Sequence, residues 1–210
     1  MTKSKNRSWI QRHVKDPYVK QSQVDGFRSR ASYKLLEIVE KDRLIRSGMT
    51  VVDLGSSPGG WSQVASSLVG PSGSVVALDI LPMDPVSGVE FIQGDFTEDP
   101  TWGRLQQLVK NNSVDLVISD MAPNLSGSQE IDQPAMMHLA EMSLDLALKS
   151  LDAKGVFISK LFHGQGFDRF VLEVRKLFNK VSIVKPKASR PKSKEVYIAV
   201  SYTHLRAHET

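Results

Sequence analysis

The sequence predicts an α/β fold: a mixed, mostly parallel sheet with helices on both faces and an antiparallel last strand. Three observations predict it. Short β-branched runs alternate with helical patterns along a chain of 210 residues, the arrangement that builds a parallel sheet through crossover helices. The run Met49–Leu54 ends in a glycine-rich turn that leads into a helical stretch. The last two runs follow each other with only a Pro- and Lys-rich loop between them, and strands joined without a crossover pair antiparallel.

Each element has its own signal. Residues 1–20 are polar and basic and read as an arm. Ser29–Lys41 carries Ala31, Leu35, Leu36 and Val39 at helical spacing, so it predicts an amphipathic helix. Gly48 punctuates before the strand Met49–Leu54. A helix from Gly60 to Leu68, the turn Gly70-Pro71-Ser72-Gly73 and a strand from Ser74 to Leu78 follow. Further strands are expected at Glu90–Gln93, Val114–Ser119 and Gly155–Phe162, with helices at Gln133–Leu151 and Phe167–Phe178. The closing pair is expected near Val181–Lys185 and Glu195–Ser201. No internal repeat or second core is visible, so residues 1–200 read as one domain. Residues 201–210 show little periodicity and read as a tail.

Composition narrows the function classes. Apolar residues make up 40% and charged residues 24%, an ordinary globular mixture. No run approaches the ~18–20 apolar residues that span a bilayer, and no apolar stretch follows the basic N-terminal residues, so a secretory leader is not expected. A cytoplasmic protein without membrane association is the expectation. Zero cysteines exclude disulfides, thiolate metal sites and cysteine nucleophiles. His13, His138, His163, His204 and His208 form no ligand cluster with acidic partners, and no metal is expected.

The charge is unevenly placed. Residues 1–43 hold eleven basic and five acidic side chains, and residues 169–194 hold nine and one. The centre is therefore acidic. Two basic flanks can lie together as one positive face, the footprint of a phosphate-backbone partner. Lys185, Lys187, Arg190, Lys192 and Lys194 cluster beside prolines in the second flank.

In an open α/β sheet, ligands bind beyond the carboxyl ends of the strands. The first such turn here is Asp53-Leu54-Gly55-Ser56-Ser57-Pro58-Gly59-Gly60-Trp61-Ser62. It is neither the Gly-x-Gly-x-x-Gly dinucleotide fingerprint nor a phosphate-binding loop ending in Gly-Lys-Ser/Thr. Asp79 follows about 20 residues on, where an acid grips a ribose diol. Asp95 ends the third strand along the same edge. The pair, after such a turn, suggests a nucleoside pocket with Asp79 on the ribose and Asp95 near an adenine amino group.

Six ordered segments now carry a resemblance. Besides the turn at 53–62, they are Arg28-Ser29-Arg30-Ala31-Ser32-Tyr33-Lys34-Leu35, Asp79-Ile80-Leu81-Pro82-Met83, Ser119-Asp120-Met121-Ala122-Pro123-Asn124, and Lys160-Leu161-Phe162 with Ser193-Lys194-Glu195-Val196-Tyr197. From about Trp9 to Val200 the chain resembles the FtsJ family of S-adenosylmethionine-dependent RNA 2′-O-methyltransferases. The stretch after Val200 is not a family ending. The resemblance implies a Rossmann-like S-adenosylmethionine-dependent methyltransferase fold and 2′-O-methylation of a uridine ribose in large-subunit (23S) ribosomal RNA; a monomer is expected because no long apolar surface stripe is apparent.

The family's Lys-Asp-Lys-Glu tetrad falls on Lys34, Asp120, Lys160 and Glu195. The motif match also implies Gly59, Trp61, Asp79, Asp95 and Asp120 as contacts to S-adenosyl-L-methionine. Lys160 is assigned as general base with Asp120 orienting it. A competing mechanism keeps Lys160 charged to stabilise the developing alkoxide. Arg28, Arg30 and the loop Lys185–Lys194 (Lys185, Lys187, Arg190, Lys192, Lys194) are expected to track RNA phosphates, along with Lys3, Lys5, Arg7, Arg12 and Lys15 of the arm. Rival readings are a transfer-RNA 2′-O-methyltransferase of the same family, a non-catalytic RNA-binding assembly factor and a base-amino methyltransferase. The last would carry an aromatic after Asp/Asn-Pro-Pro, which Asp120-Met121-Ala122-Pro123-Asn124 lacks.

Overall fold

A computed structural model describes residues 16–109 and 114–203. In chain order its elements are α1 (Pro17–Val24), α2 (Ala31–Asp42), β1 (Thr50–Leu54), α3 (Gly60–Val69), β2 (Ser74–Asp79), β3 (Val89–Gln93) and α4 (Asp99–Leu108). Then follow β4 (Val114–Ser119), α5 (Gln129–Ser150), β5 (Leu151–Phe162), α6 (Phe167–Leu177), β6 (Phe178–Val184) and β7 (Glu195–Thr203). The described strands form one sheet in the order β3-β2-β1-β4-β5-β7-β6. The first five are parallel, and β7 runs antiparallel to both β5 and β6.

The two-residue period of the strands divides the core. Val52, Leu54, Val76, Leu78, Phe157 and Leu161 pack with residues of α4, α5 and α6 on one face. Their neighbours Val51, Val75, Ile158 and Ala199 pack with Leu35, Ile38, Trp61, Val64 and Ala65 of α2 and α3 on the other. Burial on both faces explains why β1 is wholly buried and reads as an unbroken apolar run except for Asp53. Strand order reverses at β1, between β2 and β4. The turn after β1 and the residue after β4 therefore flank the crevice where ligands bind in such sheets.

Three expectations are corrected. Pro17–Val24, whose first four residues fall within the expected basic arm, forms α1, with the Asp16 carboxylate accepting the Tyr18 N–H at 3.0 Å. A helix, α4, fills the stretch before β4 that carried no assigned element. The last strand runs past its expected end at Ser201 to Thr203. The arm residues Lys3, Lys5, Arg7, Arg12 and Lys15, and residues 204–210, lie outside the described residues. Among the described residues no helix is long and apolar enough to cross a membrane.

Candidate active site

Four elements deliver the predicted tetrad to one place. Lys34 lies on α2, Asp120 directly follows β4, Lys160 is on β5 and Glu195 opens β7. The Lys34 ammonium pairs with Glu195 Oε1 at 2.7 Å, and Lys160 Nζ pairs with Asp120 Oδ1 at 2.7 Å. Lys160 also donates to the Asp120 backbone carbonyl at 2.6 Å, and Glu195 Oε2 stands 4.0 Å from it. Two cations and two carboxylates thus share a site whose side chains are all less than a fifth exposed. Buried charges persist only when paired and hydrogen-bonded in this way.

A fifth residue joins the two pairs. The Tyr197 hydroxyl donates to Asp120 Oδ1 at 2.6 Å and accepts from Lys34 Nζ at 3.2 Å. Its ring lies 5.6 Å from that of Trp61, centroid to centroid. Burial, with the charges of Asp120 and Glu195, pushes the phenol well above its ordinary range, so it serves as a proton-bearing donor. Burial alone would raise Asp120, but the Lys160 and Lys34 charges, with hydrogen bonds from Lys160 and Tyr197, hold it below the usual carboxylate range. Sequence reasoning assigns Tyr197 no role. Strand alternation is the available signal, since Glu195 and Tyr197 are two residues apart on β7 and share a face.

Beside the tetrad lies the glycine turn. The Gly55 and Ser56 N–H groups donate to the Leu78 carbonyl at 2.9 and 3.1 Å, binding the turn to the end of β2. Gly55 has φ +70°, and a Cβ there would stand 2.2 Å from Met121 Cγ. Gly59 caps α3 at φ +104°, where glycine avoids the penalty other residues incur. Asp79 accepts the Ser57 N–H on one oxygen and the Leu81 N–H on the other, both at 2.8 Å. Each oxygen keeps a second lone pair, enough for a ribose diol. Asp95 spends Oδ1 on the N–H and hydroxyl of Thr97, which leaves Oδ2 without a partner among the described residues. The Gly94 N–H donates to the Asp79 carbonyl at 2.9 Å, which sets the two acids on adjoining strand ends.

The pocket also holds polar atoms without protein partners. Asp53 is 1% exposed, and its Oδ2 accepts the Ser62 hydroxyl at 2.6 Å while Oδ1 has no partner. The buried Ser56 hydroxyl is likewise unsatisfied. Burial pushes the Asp53 carboxyl up to about 7, against the Ser62 hydrogen bond and helped by the charges of Asp120 and Asp79. Orphaned buried acceptors are costly unless a ligand or water completes them. A close-approach turn, an acid with acceptor capacity to spare, a second acid with a free oxygen and an acidic surround fit a cationic nucleoside such as S-adenosylmethionine.

Three of the expected contact residues also make hydrogen bonds within the protein. The Trp61 side chain is buried, with its indole N–H donating to the Ala31 carbonyl at 2.8 Å. The half-buried Arg28 guanidinium donates to the carbonyls of Pro58 at 3.1 Å and of Asp84 and Pro85 at 2.5 Å. It clamps the loop after β2 to the glycine turn. Arg30 donates to the Asp16 carboxylate and the Ala188 carbonyl, while its buried Nε has no partner among the described residues. Lys185, Lys187, Arg190, Lys192 and Lys194 are exposed on the loop between β6 and β7, as expected of a solvent-facing basic patch. Lys185 donates to the Ser193 carbonyl and Lys194 to Gln129 Oε1, both at 2.8 Å.

Comparison with known proteins shows the family. The FtsJ-like methyltransferase family matches residues 27–202. The chain is 58% identical over 197 residues to the ribosomal RNA large subunit methyltransferase E of Marinobacter nauticus, covering 94% of this chain and 95% of the relative. Proteins of the same name from Cellvibrio japonicus and Pseudomonas aeruginosa are 56% and 54% identical, each over 94% of this chain and 93% and 96% of theirs. A crystal structure of a ribosomal RNA methyltransferase from Plasmodium falciparum superposes with a TM-score of 0.74 at 24% identity, covering 84% of this chain and 98% of that one. This last likeness bears on the fold.

Proposed function

The chain belongs to the FtsJ-like methyltransferase family, and from that premise we propose that it methylates the 2′-hydroxyl of a uridine ribose in 23S ribosomal RNA, using S-adenosyl-L-methionine. The observation that carries this reading is the closed Lys34–Glu195 and Lys160–Asp120 pairing beside the glycine turn. The names of relatives at 54% and 58% identity support the ribosomal substrate.

Asp79, Asp95 and the turn Gly55–Gly59 would hold the donor's nucleoside, with Asp53 and Ser56 offering acceptors to the rest. When bound, the donor supplies a methyl group already activated on a positively charged sulfur. What remains for the protein is to place the ribose oxygen in line and to accept its proton. Lys160 Nζ donates to two Asp120 oxygens, 2.7 and 2.6 Å away. As the ammonium of this ion pair Lys160 has no lone pair, so it would first release a proton to solvent; the resulting amine, still held by Asp120 through its two N–H bonds, would present one lone pair to the 2′-hydroxyl proton. Asp120 fixes Lys160, and Tyr197 fixes Asp120. Lys34 and Glu195 line the same space and position the ribose. The exposed cations Lys185, Lys187, Arg190, Lys192 and Lys194 would follow the phosphates, which give affinity without sequence information.

Transfer of labelled methyl groups to large ribosomal subunits, naked ribosomal RNA and transfer RNA, followed by nuclease mapping, tests the assignment. A 2′-O-methyluridine in 23S RNA is expected. Label confined to transfer RNA would overturn the substrate. Lys160→Arg is expected to lose activity, because guanidinium does not deprotonate in proteins. Near-wild-type turnover of that variant would overturn Lys160 as base.

A further inference from the structure

The basic loop between β6 and β7 is connected to the reaction centre by a buried hydroxyl. Ser189 is 5% exposed, and its Oγ donates to Glu195 Oε1 at 2.8 Å. The same oxygen accepts Lys34 at 2.7 Å, which leaves Oε2 directed toward Lys160 at 4.0 Å. Ser189 therefore fixes which way the Glu195 carboxylate is turned.

The loop itself is firmly seated. Glu37 stands one turn beyond Lys34 on α2, and its carboxylate accepts the consecutive N–H groups of Lys187 at 2.6 Å and Ala188 at 2.9 Å. Arg30 donates to the Ala188 carbonyl. The Ser189 N–H closes a turn onto the Pro186 carbonyl at 2.9 Å. Lys187 and Arg190 are exposed on either side of the buried Ala188–Ser189 pair. The residues that would meet a phosphate backbone thus closely flank the residue that holds Glu195.

We propose that Ser189 is a positioning residue through which the basic loop sets Glu195, so that RNA seated on Lys187 and Arg190 bears directly on the segment that holds the tetrad in place. This rests on the functional reading above, and specifically on RNA as the polyanion that meets the loop.

Single-turnover and steady-state methylation of large ribosomal subunits by the full chain test it. Ser189→Ala removes one charge-assisted hydrogen bond, so kcat is expected to fall about tenfold. The Kd values for S-adenosylmethionine and for RNA should stay within about twofold, and Ser189→Thr, which keeps the hydroxyl, should recover most of kcat. A loss of fold would instead move all these quantities and the urea midpoint together. The double variant Lys187→Ala, Arg190→Ala should raise the RNA KM and also lower kcat at saturating RNA. Wild-type kcat in Ser189→Ala, or no recovery in Ser189→Thr, overturns the inference. A wild-type chain that methylates no RNA overturns the functional reading and the inference with it, an outcome visible before any variant is made.

Discussion

Replacing Asp53 by asparagine should change how stability depends on pH, and the size of the change follows from the carboxyl's surroundings. Asp53 is raised from an ordinary 3.8 to about 7, chiefly by burial. In the unfolded chain it ionises near its ordinary value. The folded state therefore holds a proton that the unfolded state has released across the window from about 4 to 7. A raised folded-state value means stability is fully present below the unfolded value and is lost as pH rises through the folded one. Three units at ~1.36 kcal/mol each give a loss of about 4 kcal/mol, of which about 3 kcal/mol falls between pH 5 and 8. The asparagine side chain has nearly the same shape, can still accept from Ser62 and does not titrate. Urea unfolding of both proteins without cofactor from pH 5 to 8 isolates the effect, because titrating groups that are not coupled to Asp53 cancel in the difference. Any fixed penalty of the amide shifts the difference but not its slope. The wild type should lose stability relative to Asp53→Asn by about 3 kcal/mol over that range. A difference that stays flat with pH would refute the reasoning, since the carboxyl would then have no raised value to lose.

Other expectations follow from the same contacts. Tyr197→Phe keeps the ring against Trp61 but removes the hydroxyl from Asp120 and Lys34, so kcat should fall about ten- to a hundredfold, the worth of a hydrogen bond to a charged group. An unchanged kcat would show that Asp120 needs no such support. Arg28→Gln and Arg30→Gln should leave the salt dependence of RNA binding nearly as it is, because both guanidinium groups already donate to carbonyls or a carboxylate of the protein. Lys192→Gln should instead reduce the slope of log K against log salt by about one. Equal slopes in all four proteins would remove Lys192 from the RNA face. Gly55→Ala forces a Cβ into left-handed backbone 2.2 Å from Met121 Cγ, and S-adenosylmethionine affinity, measured by calorimetry, should drop at least about tenfold. Wild-type affinity would show that Met121 swings aside freely.

The legible parts of the fold are those where pattern and burial coincide. β1 and β4 are buried on both faces, so Val51-Val52 and Leu116-Val117-Ile118 read as strands without help from elsewhere. Helix α1 is hidden in a segment whose charge dominates its pattern, although Asp16 before Pro17 is a start signal in its own right. The same Asp-Pro sign stands at Asp99-Pro100, at the start of α4. The antiparallel pairing of β6 with β7 follows from the short connection. The insertion of β7 beside β5 does not, because strand order is decided by packing between distant segments. At the site, residue types and spacing mark Lys34, Asp120, Lys160 and Glu195. Composition cannot say that Arg28 and Arg30 turn inward, because a sequence gives the charge and not the carbonyl that receives it.

The threading of β7 between β5 and β6 has a consequence for biosynthesis. The turn that would cradle the methyl donor, and the strands that shape it, are all translated before residue 163. The glutamate and tyrosine that complete the reaction centre are translated about thirty residues later. A nascent chain can thus carry the donor's cradle while its two lysines still lack one of their acids, and the reaction centre is complete only once the closing strand has paired with β5 and brought β6 into the sheet.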